Sequence, residues 1–128
     1  MMFPVVILSG GLGTRIKSKT KNHPKALLDI EGKPFIVRQL EYLSLQNIKK
    51  VIICAGYLGD QIQKVIGNGD AYNINVEYSF DGEVLLGTGG SIKKALYKLD
   101  EIFFILYGDS YLPISFKKVQ NFFFKKKY

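Results

Sequence analysis

Short apolar runs alternate with stretches of helical periodicity along this chain, and the alternation predicts an α/β fold with a largely parallel sheet. Two observations carry that expectation. The runs from Phe3 to Leu8 and from Val51 to Ala55 are continuously apolar, as strands covered on both faces are. The segments from Pro34 to Leu45 and from Ser91 to Leu99 instead repeat apolar residues at three- and four-residue intervals.

The elements follow in order. Phe3 to Leu8 reads as a buried strand that runs into a glycine-rich loop. Pro34 suits the first turn of a helix in which Ile36, Leu40 and Leu43 recur on one face. Val51 to Ala55 is a second buried strand, ended by Gly56. Asp60 suits the start of a short helix through Ile66, closed by Gly67-Asn68-Gly69. Ile74 to Tyr78 alternates apolar and polar residues, which predicts a strand nearer the sheet edge. Ser91 to Leu99 is a helix with Ile92, Ala95, Leu96 and Leu99 on one face. Ile102 to Tyr107 is a further buried strand, ending at Gly108-Asp109. No internal repeat, low-complexity tract or linker interrupts the series, so residues 1–128 read as one domain.

Composition bounds the class. Hydrophobic residues make up 47% and charged residues 23% of the chain, which suits a folded protein and not a disordered one. Every apolar run is broken well short of a membrane span, so no membrane partner is expected. The apolar N-terminus has no basic leading region and no small-residue cleavage site, and is read as a strand and not a signal peptide. The only cysteine, Cys54, sits inside an apolar strand and reads as a core residue. It fits a reducing, cytoplasmic setting. Net charge is +7, with Lys117, Lys118, Lys125, Lys126 and Lys127 clustered near the C-terminus. These read as a solvated helix face and a tail. The nearby aromatics Phe116 and Phe122 to Phe124 do not interleave with basic residues in any RNA-binding pattern, so no nucleic-acid partner is expected.

In a parallel sheet, ligands bind outside the carboxyl ends of the strands. The loop Ser9 to Arg15, the turn at Gly56-Tyr57 and the turn at Gly108-Asp109 are therefore expected to share one crevice. Gly10, Gly11 and Gly13 let a ligand come close to the main chain. Successive N–H groups in such a loop cradle anions. Arg15 adds a planar charged fork suited to phosphate, and Lys25, fixed behind Pro24, adds a second cation. Neither a dinucleotide fingerprint nor a P-loop fits, because Ile16 stands where the first needs glycine and Gly13-Thr14-Arg15 stands where the second needs Gly-Lys-Ser/Thr. Taken alone, the loop binds something anionic, or is a plain tight turn.

The ordered blocks are more specific. Gly10-Gly11-Leu12-Gly13-Thr14-Arg15, then Lys25 in Pro-Lys-Ala-Leu, Gly56-Tyr57-Leu58-Gly59, Leu86-Gly87-Thr88-Gly89-Gly90 and Leu106-Tyr107-Gly108-Asp109-Ser110 together resemble the sugar-phosphate nucleotidyltransferases, over nearly the whole chain. The bacterial hexose, heptose and N-acetylmuramate 1-phosphate enzymes are the most similar subgroup. The resemblance implies a Rossmann-like three-layer αβα sandwich with a mostly parallel sheet, of the nucleotide-diphospho-sugar transferase type. It implies transfer of a nucleotidyl group from an NTP to a sugar 1-phosphate, giving an NDP-sugar and pyrophosphate, with Mg²⁺ as cofactor, in the supply of cell-envelope polysaccharide. Carried over by residue, it implies that the main chain of Leu8, Ser9, Gly10, Gly11 and Gly13, with Thr14, wraps base and phosphates. It gives Arg15 the β- and γ-phosphates and Lys25 the α-phosphate, as the catalytic pair. Gly87 and Thr88 form a turn that meets the base edge, and Asp109 binds the metal.

Three departures qualify that picture. Ser18 stands where many relatives have proline. The stretch Ser79 to Glu83 has no glutamine with which some relatives read the base; Glu83 and Asp81 are either plain loop residues or acceptors of hydrogen bonds from guanine, so GTP is admissible beside UTP, CTP and dTTP. Family domains also continue well past the Gly-Asp turn, and the later part supplies most of the sugar-phosphate pocket and a second metal-binding aspartate. This sequence stops at Tyr128, with Phe116, Val119 and Phe123 expected to form an apolar face that nothing later covers. The expectation is a fragment or truncated reading frame, against a short protein that completes itself as a homo-oligomer. Two other functions stay open: a non-catalytic nucleotide-binding module, and a related transferase acting on molybdopterin. The Gly87-Thr88-Gly89-Gly90 block and the Gly-Asp-Ser turn favour a sugar substrate over a pterin.

Overall fold

A computed structural model describes residues 2–9, 29–30, 32–56, 59–80, 87–98, 102–107 and 115–126. Its centre is a parallel sheet of β1 (Val5–Ser9), β4 (Lys50–Ala55), β5 (Asn75–Phe80) and β6 (Phe104–Tyr107), in the spatial order β5-β4-β1-β6. A two-residue hairpin of β2 (Asp29–Ile30) and β3 (Lys33–Pro34) stands apart from it. The helices are α1 (Phe35–Leu45), α2 (Gly59–Ile66), α3 (Gly87–Ala95) and α4 (Phe116–Lys126).

The period-two pattern of the strands sorts the core into two layers. Val5 and Ile7 of β1, with Val51, Ile53 and Ala55 of β4, face α1, α2 and the start of α4. Val6 of β1, with Ile52 and Cys54 of β4, faces Ala95 of α3. Cys54 is thus a buried core residue, as its sequence context predicts. Three layers result: α1, α2 and α4, then the sheet, then α3. The chain steps outward from β1 to β4 to β5 through α1 and α2, then reverses across β1 to reach β6 through α3. Right-handed parallel connections require that reversal to place α3 on the opposite face. The expected α/β fold with a parallel sheet is the observed one.

Local chemistry explains the boundaries. Pro34 occupies the N-cap of α1 with φ −57° and ψ 143°, one residue ahead of the helical turn expected for it. The helix closes with Asn47 in the left-handed region, φ 64°. The N–H of Ile48 then reaches the Leu43 oxygen and that of Asn47 the Ser44 oxygen, a Schellman closure. Gly67, φ 64°, ends α2 where expected.

Two expectations are corrected. The third helix begins at Gly87 and not Ser91, and gives way after Ala95 to a single 3₁₀ turn over Leu96–Lys98. Gly87 and Thr88 are therefore the first residues of a helix and not a turn ahead of one. Glycine-rich composition argues against helix, but the first N–H groups of a helix have no intrahelical acceptor to lose, and propensity yields to tertiary packing. The second correction concerns α4: of the three residues expected as an uncovered apolar face, Val119 and Phe123 are exposed, but Phe116 is buried, as is Gln120. The buried row runs four residues on from Phe116, because the Gln120 side chain accepts a hydrogen bond from the Phe3 N–H at 2.8 Å. Phe3 in turn meets Phe104 in a tilted contact and Phe123 and Phe124 edge to face, with centroids 5.3–6.1 Å apart.

Candidate nucleotide site

The four parallel strands end at Ser9, Ala55, Phe80 and Tyr107. β1 and β6 are neighbours, and Leu8 lies opposite Tyr107 in register. The chain leaves β1 toward one side of the sheet and arrives in β6 from the other, so the space beyond these two ends is the switch point at which parallel α/β sheets bind ligands. Residue 10 opens the glycine loop directly after Ser9. Asp109 follows Tyr107 by two positions.

Of the residues expected at the site, Leu8 and Ser9 are the last two of β1. Leu8 is half-buried against the α3 layer. The Ser9 hydroxyl is buried with no hydrogen-bond partner among the described residues, at the point where a ligand's polar atoms would arrive. Gly87 and Thr88 start α3. Gly10, Gly11, Gly13, Thr14, Arg15, Lys25, Glu83 and Asp109 lie outside the described residues, as do Ser18, Tyr57, Leu58 and Asp81.

Two residues support the crevice in ways that the sequence reading did not anticipate. Gln39 is buried in α1 and donates from Nε2 to the main-chain oxygen of Tyr107 at 3.2 Å. The signal was present: Gln39 falls three residues after Ile36, inside the apolar row of that helix, and a polar residue there needs a buried partner. Gly59, at the start of α2, lies so close to the sheet that a Cβ would come within 2.7 Å of the Ala55 Cβ and 3.1 Å of the Phe80 ring. Glycine at that place lets α2 settle on the carboxyl ends of β4 and β5. The block containing it was read as a motif, not as a packing requirement.

Comparison with known proteins decides the family. The family model for nucleotidyl transferases matches residues 4–128. This chain belongs to the nucleotidyl transferase family. It is 38% identical over 115 residues to a D-glycero-alpha-D-manno-heptose 1-phosphate guanylyltransferase of Campylobacter jejuni, covering 90% of this chain and 51% of the relative. It is 37% identical over 112 residues to an N-acetylmuramate alpha-1-phosphate uridylyltransferase of Neisseria meningitidis, covering 87% and 48%. Among solved structures it matches HddC from Yersinia pseudotuberculosis complexed with GMP-PN, with a TM-score of 0.83 and 39% identity over 95% of this chain and 54% of that one. The chain thus spans about half the length of the relatives it matches. No helix among the described residues is long and apolar enough to cross a membrane.

Proposed function

We propose that this chain is the nucleotide-binding half of an enzyme that joins an NTP to a sugar 1-phosphate, releasing pyrophosphate and an NDP-sugar. The observation that carries the reading is the pairing of Leu8 with Tyr107. It sets the exit of β1, where the glycine loop begins, against the exit of β6, which leads into Gly108-Asp109. Transfer at phosphorus asks little covalent work of the protein. It asks for positioning and for positive charge where negative charge builds. Main-chain N–H groups from Gly10 to Gly13 would cradle the phosphates, Arg15 would hold the β- and γ-phosphates, and Lys25 the α-phosphate that the sugar phosphate oxygen attacks.

Asp109, two positions past the end of β6 in the sequence, would be the protein donor, supplemented by phosphate oxygens. Such a hard, all-oxygen set suits Mg²⁺. When bound, the ion would supply charge neutralisation on the phosphates. GTP is the nucleotide we favour, with Glu83 accepting from the guanine edge; the guanylyltransferase relatives support this, and the uridylyltransferase relative makes UTP the comparison to run. The same reading puts the reaction in the cytoplasm, in the supply of cell-envelope precursors.

Titration calorimetry with GTP, UTP, CTP and dTTP, with and without Mg²⁺, tests the site. Arg15→Ala and Lys25→Ala should each weaken binding by about tenfold or more, the value of one charge-assisted contact. Unchanged affinity in both variants would remove the site assignment. Pyrophosphate release with a sugar 1-phosphate then separates an enzyme from a binding module.

A further inference from the structure

β1 is apolar until its last residue. Val5, Val6 and Ile7 are fully buried, Leu8 is half-buried, and Ser9 then ends the strand with a hydroxyl. Alternation along the strand turns Ser9 to the face of Val5 and Ile7, the one that α1 covers. Its companions on that face include Ile7, two residues earlier, and Ala55, its register partner on β4; both are fully buried and carry no polar side-chain atom. The Ser9 Oγ is buried beside them and has no hydrogen-bond partner among the described residues. The residue as a whole is only half-buried, because the strand stops there and the crevice begins. A buried hydroxyl without a partner lowers stability, and a native chain keeps one where something else satisfies it. Alanine would fill the same place in the strand without that cost. The buried polar residue of α1, Gln39, also faces this end of the sheet, where it donates to the Tyr107 oxygen.

We infer that the Ser9 side chain is a binding residue in its own right: its hydroxyl bonds an uncharged polar atom of the nucleoside, on the base or the ribose, in addition to any main-chain contact of the glycine loop. A serine hydroxyl turns about a single bond, so an atom arriving beyond the end of β1 takes it without a shift of the strand. The partner is uncharged because Ile7 and Ala55 flank the hydroxyl, and a phosphate oxygen placed there would lose its water without gaining a cation. The groups expected to hold phosphate, the N–H groups of Gly10 to Gly13 and Arg15, come later in the chain. The inference deepens the proposed function and rests on that reading. It adds a consequence that the reading alone does not carry: the free chain gives up stability at Ser9 and recovers it on binding.

The test pairs the stability of the free chain with nucleotide affinity in Ser9→Ala. The free variant should melt at the parent's temperature or above it, because a buried group without a partner is gone. Titration calorimetry, run with the NTP that the parent binds best (GTP on the reading above), should show binding weakened by about three- to tenfold, the value of one neutral hydrogen bond. The factor should be the same for the matching diphosphate. With the 2′-deoxy nucleotide it should vanish if the ribose hydroxyl is the partner and persist if the base is. Ser9→Cys, close in shape but a weak donor, should also lose affinity. A lower melting temperature in the free Ser9→Ala chain would make the hydroxyl structural and overturn the inference. A loss that grows with the number of phosphates would assign the hydroxyl to phosphate and overturn it as well. Equal affinity in parent and variant would overturn the inference and leave the proposed function standing, whereas a parent that binds no nucleotide would remove the proposed function and the inference with it.

Discussion

Gln39, on the buried side of α1, donates from its side-chain nitrogen to the main-chain oxygen of Tyr107, 68 residues later in the chain. This bond fastens the helix that follows the glycine loop to the end of the strand that leads to Asp109. Leu8 lies beside Tyr107 in register, so one hydrogen bond helps to fix both sides of the crevice.

Replacing Gln39 by Leu should therefore do two separable things. Loss of a bond to a part-buried carbonyl should cost about 1–3 kcal/mol in urea unfolding. The exit of β6 should also loosen, so Mg²⁺-dependent nucleotide affinity should fall while metal-free affinity changes little. Gln39→Glu has no N–H to donate and, when ionised, sets a buried charge against the Tyr107 oxygen, so it should cost more stability than Leu does. Equal loss with and without metal would mean that Gln39 serves stability alone.

The contact between Gly59 and Ala55 gives a second prediction. Gly59→Ala brings two methyl groups to 2.7 Å, and the rigid backbone of α2 or β4 has to give. A cost of about 1–3 kcal/mol is expected from overpacking. Ala55→Gly should relieve part of it, so the double-mutant cycle should show a coupling of at least about 0.5 kcal/mol. Strict additivity would place the strain elsewhere.

Two glutamines hold α4 against the body. Gln46 accepts from the Phe116 N–H at 3.1 Å, satisfying one of the free donors at the start of that helix, and Gln120 accepts from the Phe3 N–H at 2.8 Å. Gln46→Ala and Gln120→Ala should each lower stability by about 1 kcal/mol. They should raise amide exchange within Phe116–Lys126 more than in β4. A uniform change across the sheet would show that α4 unfolds only with the whole domain.

β1 and β4 were legible because burial on both faces writes itself as an unbroken apolar run, as in Val51 to Ala55; Ile102 to Tyr107 carries the same kind of run, yet Ile105 and Tyr107 are exposed. The start of α3 was not legible. Gly87-Thr88-Gly89-Gly90 has the composition of a turn, and only tertiary packing makes it helical. Gln39, Gln46 and Gln120 escaped notice because a buried amide differs from a solvated one only in its partner, which lies 68 to 117 positions away in the chain. Of the expected site, strand topology brings the exits of β1 and β6 together, while Arg15, Lys25 and Asp109 rest on the family resemblance and lie outside the described residues.

Tyr78 supplies a pH test of the β5 edge. Burial, and then the neighbouring Tyr72, push its phenol up from the ordinary 10.0 to about 12, and its hydroxyl donates to the Gly67 oxygen at 2.6 Å. The neutral phenol is favoured in the folded chain. The resulting stability is fully present below pH 10, the unfolded value, and is lost as pH rises toward 12, because the unfolded chain releases the proton first. Absorbance titration at alkaline pH should show one tyrosine ionising well after the exposed ones. Tyr78→Phe should remove that late component and flatten the fall in melting temperature between those two pH values. It should also be less stable than the parent at neutral pH, since the Gly67 carbonyl loses its donor while the ring contact with Phe80, centroids 5.7 Å apart, is kept. If Tyr78→Phe keeps the full alkaline loss of stability, the loss arises from other groups and the Tyr78–Gly67 bond does not govern it.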